Sequence, residues 1–136
     1  MEGASVIVLD THAWIWWVSS PAFLSETAKG IIDGAATKRN IFISAISAWE
    51  VAILVSRGRL KLTMSAGDWV AASEALPFLN FVPVSNSIAL KSVQLPGALH
   101  DDPADRIIIA TAVSLGAVLV TKDEKIRNYP HVKTAW

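Results

Sequence analysis

Short apolar runs and longer mixed segments alternate along this chain. Residues 5–9 form a run rich in β-branched side chains and predict a buried strand. Asp10-Thr11 punctuates it, and residues 12–18 predict a short helix. Ser25-Glu26-Thr27 opens a second helix that runs towards Thr37. Residues 40–43 predict another brief strand. Residues 44–56 predict a helix that is apolar almost all round and ends at Gly58, a good C-cap residue. Residues 65–76 predict a helix stopped by Pro77, residues 81–84 a strand, and residues 86–94 a helix before the Pro96-Gly97 loop. The strongest helix prediction covers residues 102–115 and closes at Gly116. A strand over residues 117–121, a helical turn or two over 123–128 and a last strand over 132–135 complete the pattern.

Apolar strands of this length between helices indicate a parallel sheet covered on both faces. The expected fold class is α/β, an α/β/α sandwich with a central parallel sheet, in one domain spanning residues 1–136. Apolar residues make up 52% of the chain and charged residues 18%, which favours folding over disorder. Formal net charge is zero, so any nucleic-acid contact has to come from a local patch. The absence of cysteine excludes disulfides and zinc–thiolate sites and fits a reducing, cytoplasmic location. Glu2 without a basic cluster does not read as a secretory signal. The most apolar stretches, residues 6–18 and 107–119, are interrupted or fall short of the ~20 residues of a membrane span.

Four acids carry the chemistry. Asp10 follows the first strand and Asp123 follows the strand ending at Thr121, and open α/β sheets bind ligands at the carboxyl ends of their strands. Glu50 has Ile46, Ile53 and Leu54 as helical neighbours. Asp105 has Ile108, Ile109 and Ala112. A carboxylate among aliphatic side chains is costly unless something compensates it. Several gathered carboxylates repel one another and rise in pKa, and a hard divalent cation such as Mg²⁺ or Mn²⁺ resolves both problems with oxygen ligands. His12, His100 and His131 show no zinc-type pairing. Each acid also has a plainer reading. Asp10 and Asp123 fit helix N-caps. Asp102-Pro103-Ala104-Asp105 is a good helix start, with Asp102 as N-cap, Pro103 at the first position and Asp105 at the third. Ser47-Ala48-Trp49-Glu50 fits a capping box, although a strand ending at Ile43 makes Ser44 the natural cap.

The segments Leu9-Asp10-Thr11-His12-Ala13, Ser47-Ala48-Trp49-Glu50-Val51-Ala52-Ile53, His100-Asp101-Asp102-Pro103-Ala104-Asp105-Arg106 and Val120-Thr121-Lys122-Asp123 resemble, in order and content, a PIN domain of the VapC type. The resemblance covers nearly the whole chain. It implies an α/β/α sandwich with an acidic pocket that holds Mg²⁺ or Mn²⁺ on Asp10, Glu50, Asp105 and Asp123, with Thr11 and Thr121 supplying hydroxyls nearby. It implies an endoribonuclease that cuts structured RNA, transfer or ribosomal, leaving a 5′-phosphate and a 3′-hydroxyl. It further implies a homodimer and a small antitoxin as partner. The family segment commonly reads His-Arg-Asp-Pro-Phe-Asp-Arg. Asp101 and Ala104 depart from it, which bears on phosphate contact and RNA choice and leaves the acids untouched.

Basic residues offer RNA contacts at Arg106, Lys122 and Arg127, with Lys125 beside them; Arg57, Arg59 and Lys61 read as a solvated surface. Arg106 equally suits pairing with a neighbouring acid. Of the six tryptophans, Trp14, Trp16, Trp17 and Trp49 fall near proposed acids, where base stacking, an antitoxin groove and core packing compete. Core packing is expected for Trp49, and exposure for one of Trp16 and Trp17. Two other readings stand against the nuclease. A haloacid-dehalogenase-like phosphatase wants an Asp where His12 stands. A non-catalytic metal-binding or protein-interaction module would keep the acids without turnover.

Overall fold

A computed structural model of the chain describes residues 6–136. The first strand, β1 (Ile7–Leu9), is followed by α1 (Thr11–Ser19), a 3-10 turn at Pro21–Phe23, and α2 (Glu26–Thr37). Then come β2 (Ile41–Ser44), α3 (Ala45–Ser56), α4 (Ala66–Glu74), β3 (Leu79–Val82) and α5 (Asn86–Val93). The chain ends with α6 (Pro103–Leu115), β4 (Val118–Val120), α7 (Glu124–Arg127) and β5 (Thr134–Ala135). Every strand pairing is parallel, in the order β3-β2-β1-β4-β5.

Strand alternation builds two cores. Ile7 and Leu9 of β1, with Ile41 and Ile43 of β2, face Trp14, Ala28, Ile32 and Trp69 on one side. Val8 and Leu119 face Ile108, Ile109, Ala112 and Ile126 on the other. Both faces are therefore dry, which is why the strands read as continuous apolar runs rather than alternating ones. Helix α3 packs against α1, α4 and α6 over the carboxyl ends of the strands, with Val51 contributing to the first core and Ile46 touching the second.

The expected sandwich is the observed one, with local shifts. Ser5, the first residue of the expected β1, lies outside the described residues. Strand β3 begins two residues earlier than its apolar run suggested, because Leu79 pairs with Ile41 and Phe81 with Ile43. Helix α4 ends at Glu74 and the chain turns before Pro77. Trp49 corrects the expectation of core packing: it is 57% exposed. The buried residues of α3 are Ser47 and Val51, one turn apart, and at 3.6 residues per turn Trp49 lies on the opposite side of the helix from both. Trp16 and Trp17 are both half-buried.

Candidate active site

Leaving β1 the chain steps outward to β2 and β3, then crosses back to β4 on the other side of β1. The connections from β1 and β4 therefore diverge, and a crevice opens at the carboxyl ends of these two neighbours. Asp10 stands directly after β1 and Asp123 three residues after β4. Glu50 descends from α3 above them, and Asp105 comes from the first turn of α6. All four line one open cleft of about 580 Å³. Thr11, Asp102 and Lys122 line it too, as do His12 and Trp16.

Each acid is held by a specific partner. Asp10 Oδ1 accepts the Ala13 N–H at 2.8 Å, capping α1. Asp102 caps α6 by accepting from the Asp105 N–H at 3.0 Å, and Asp123 caps α7 by accepting from the Lys125 N–H at 2.8 Å. The capping roles legible in the sequence are thus real, and the same carboxylates face the cleft. Glu50 is no part of a capping box: Ser44 caps α3. Glu50 Oε1 instead takes a hydrogen bond from the Thr11 hydroxyl, which also lies 2.9 Å from the buried Ser47 hydroxyl. Thr11 has a single hydroxyl proton, so with that proton on Glu50 the Ser47 hydroxyl is the donor to Thr11. Thr121, fully buried, serves two acids: its hydroxyl bonds Asp10 and accepts the Asp123 N–H at 3.1 Å. Asp105 Oδ2 lies 2.8 Å from His100 Nε2.

The electrostatics follow from this geometry. Burial pushes the Asp10 carboxyl up to about 6; the Thr121 hydroxyl and the Ala13 N–H pull it partly back, and the charge of Asp105 adds to the rise. Burial also raises Glu50, against the pull of Thr11, with Asp105 and Asp102 pushing the same way. Burial raises Asp105 in turn, opposed by its hydrogen bond to His100 and reinforced by Asp102 and Asp123. These mutual couplings place the acids within electrostatic reach of one another.

The donor set suits a hard divalent cation. It consists of oxygens, with no cysteine, and among the described residues no arginine or lysine side chain hydrogen-bonds to these four acids. The acids ring the cleft rather than crowd one point: among the described residues no three His, Asp or Glu side chains form a ready-made ion cage.

Two polar groups behind the acids have no role in the sequence reading: Ser47, which bonds the Thr11 hydroxyl, and His100, which bonds Asp105. Ser47 carried a signal, a small hydroxyl one turn before Glu50 in an otherwise apolar helix. The expected basic contacts separate. Lys122 lines the cleft, and Arg127 lines a neighbouring polar hollow with Trp136. Arg106 neither lines the cleft nor pairs with an acid. Its guanidinium donates to the backbone carbonyls of Ser92 (2.9 Å), Leu99 (3.2 Å) and His100 (3.3 Å), tying the loop before α6 to the end of α5.

Comparison with known proteins agrees with this architecture. The family model described as PIN domain matches residues 7–132. Ribonuclease VapC22 of Mycobacterium tuberculosis is 34% identical over 134 residues, covering 97% of this chain and 99% of the relative. Among solved structures, VapBC2 from Rickettsia felis bound to a promoter DNA fragment superposes with a TM-score of 0.69 at 18% identity, over 96% of this chain and 97% of that one. A toxin–antitoxin complex from Klebsiella pneumoniae gives 0.64 at 24% identity, over 96% and 98%. The chain belongs to the PIN-domain family, in its VapC branch.

Proposed function

We propose that this protein is a metal-dependent endoribonuclease, the toxin of a toxin–antitoxin pair, and that Asp10, Glu50, Asp105 and Asp123 form its catalytic centre. The observation that carries the reading is the convergence of four carboxylates from four segments on one cleft, three of them raised in pKa and, among the described residues, none paired with an arginine or lysine side chain. Structural ion networks neutralise their acids within the protein. Here His100 pairs with one acid and no lysine or arginine side chain among the described residues pairs with the others, which supports a bound cation as their counter-charge. The VapC22 relative is named a ribonuclease, and the Klebsiella pneumoniae neighbour is a toxin–antitoxin complex. Both support the reading, and the second supports a small antitoxin as partner; a second copy of this chain is part of the proposal.

Asp10, Glu50 and Asp105 hold or orient Mg²⁺ or Mn²⁺, with Asp123 completing the pocket. A cation held there would neutralise charge on the phosphoryl oxygens and ease loss of a proton from water. The protein's own part is positional. Thr121 and the N-terminus of α1 fix Asp10, Thr11 fixes Glu50, and His100 fixes Asp105. Water oxygen forms a bond to phosphorus, the bond from phosphorus to the 3′-oxygen breaks, and the products are a 5′-phosphate and a 3′-hydroxyl. A carboxylate with a raised pKa suits receiving the proton that the water loses.

Incubation of the purified protein with total RNA, with Mg²⁺ or Mn²⁺ and with chelator, tests this beside Asp105→Asn. Metal-dependent cleavage lost in the variant is the expected result, and the cut species identifies the target as transfer or ribosomal RNA. Tight Mn²⁺ binding without cleavage of any RNA would favour the non-catalytic module.

A further inference from the structure

The cleft has an aromatic wall that the catalytic reading leaves unused. Its centre is Trp16, half-buried, on the same α1 face as His12 one turn earlier and beside the acids. Trp16 is clasped by rings from three segments. His12 lies 5.6 Å away between centroids, Phe23 of the 3-10 turn 5.9 Å, and Trp136 at the end of the chain 5.7 Å, edge to face. Phe23 remains 64% exposed. Lys122, next to Asp123, places its ammonium 5.8 Å from the Trp16 ring centroid.

The indole nitrogens separate this wall from the core. Trp14 donates its ring N–H to Ser73 at 3.2 Å and Trp69 donates to Ser19 at 3.1 Å, as buried indoles do. Among the described residues, neither Trp16 nor Trp136 has a hydrogen bond on its indole N–H. Beyond Trp136 the surface continues into the polar hollow lined by Arg127, Asn128 and Thr134, with Glu124 at the same hollow. The aromatic wall therefore lies between the acid cleft and that hollow, with Lys122 at the first and Arg127 at the second. Rings flanked by cations, continuous with a phosphate-cutting centre, match a single-stranded polyanion whose bases are free to stack.

We infer that Trp16 and Trp136 form a stacking subsite for an unpaired base next to the scissile phosphate, with Lys122 and Arg127 meeting the phosphates on either side. The inference rests on the ribonuclease reading. It adds that the RNA must be unpaired where it crosses this wall.

The test compares binding of short single-stranded homopolymer RNAs, of the same strands with abasic residues, and of RNA duplexes of equal length. Ca²⁺ replaces Mg²⁺, and fluorescence polarisation reads binding by the wild type, Trp16→Ala and Trp16→Phe. Total-RNA cleavage with Mg²⁺ or Mn²⁺ is measured alongside. Stacking on one aromatic side chain corresponds to roughly tenfold in affinity. The wild type is expected to prefer base-bearing single strands to abasic strands and to duplexes by about that factor. Trp16→Ala should lose the preference and Trp16→Phe should keep most of it; a cooperative thermal unfolding of Trp16→Ala, together with its retained binding of abasic strands, excludes loss of folding as the cause. A wild type that cuts RNA but binds abasic and base-bearing strands equally, or a Trp16→Ala variant with unchanged preference, overturns the subsite and leaves the nuclease reading standing. A wild type that neither cuts nor binds RNA overturns both.

Discussion

Asp10→Asn should stabilise the metal-free protein at alkaline pH while abolishing cleavage, and the size of the effect follows from the site. Burial raises the Asp10 carboxyl from 3.8 to about 6. In the unfolded chain it ionises near 3.8, so between these values the folded protein binds the extra proton. The stability attached to the neutral form is complete below 3.8 and is lost as pH rises through 6. Above that, holding the ionised carboxylate folded costs about 3 kcal/mol, from 2.2 pKa units at about 1.36 kcal/mol each. Asparagine removes the charge and remains a good N-cap, so the Ala13 N–H keeps an acceptor. It presents an amide N–H₂ towards the Thr121 hydroxyl, and a mismatch there returns about 1 kcal/mol. The net gain at pH 8 is about 2 kcal/mol, or several degrees in Tm for a chain of this size. Thermal unfolding in chelator from pH 4 to 8 measures it: the variant's advantage should be absent near pH 4, grow between 4 and 7, and then level off. A difference that does not change with pH, or an Asn variant less stable than wild type at pH 8, would refute the argument that burial without a counter-charge sets this carboxylate's state.

Four further outcomes are expected. His100→Ala removes the partner of Asp105 Oδ2. It should lower Mn²⁺ affinity by about tenfold in calorimetric titration, the usual scale for a group that orients a ligand from behind. Arg106→Gln leaves carbonyls of Ser92, Leu99 and His100 short of donors. It should cost about 1–3 kcal/mol in urea unfolding without changing the salt dependence of RNA binding, whereas Lys122→Gln should reduce that log–log slope by about 1. Gly116 closes α6 with φ +63 and open space where a Cβ would stand, so Gly116→Ala should lose about 1 kcal/mol through backbone strain alone, with cleavage unchanged.

What could be read from the residues is what depends on near neighbours in the chain. Asp102-Pro103-Ala104-Asp105 starts α6 as its spacing requires, Ser44 caps α3, and Gly116 ends α6 in the left-handed conformation. The short β-branched runs became parallel strands because both sheet faces are covered. The strand order was not legible, and it is the order, with β1 between β2 and β4, that puts Asp10 and Asp123 on one crevice. Nor could periodicity place Trp49, since α3 is apolar on sides that the core never meets. The His100–Asp105 contact depends on how the loop before α6 folds back, and the Trp16–Trp136 contact on where the last strand docks. Neither leaves a local trace.

Capping and metal binding looked like rival explanations for these acids, and the fold makes them one. In a parallel sheet, each helix that follows a strand begins at the carboxyl end, so α1 and α7 start at the crevice. α6 begins there as well, with Asp102 on the cleft wall. The N-caps of the three are Asp10, Asp123 and Asp102. The unsatisfied N–H groups and positive dipole ends of these helices favour negative charge at that spot even without a cation. This is how the apo protein tolerates such a concentration of carboxylates. It also decides which substitutions are informative. An alanine at Asp10 or Asp123 removes a cap and a ligand together, and its lost activity would report either. The amide keeps the cap and deletes the charge, so only the Asp→Asn series separates the catalytic role from the architectural one.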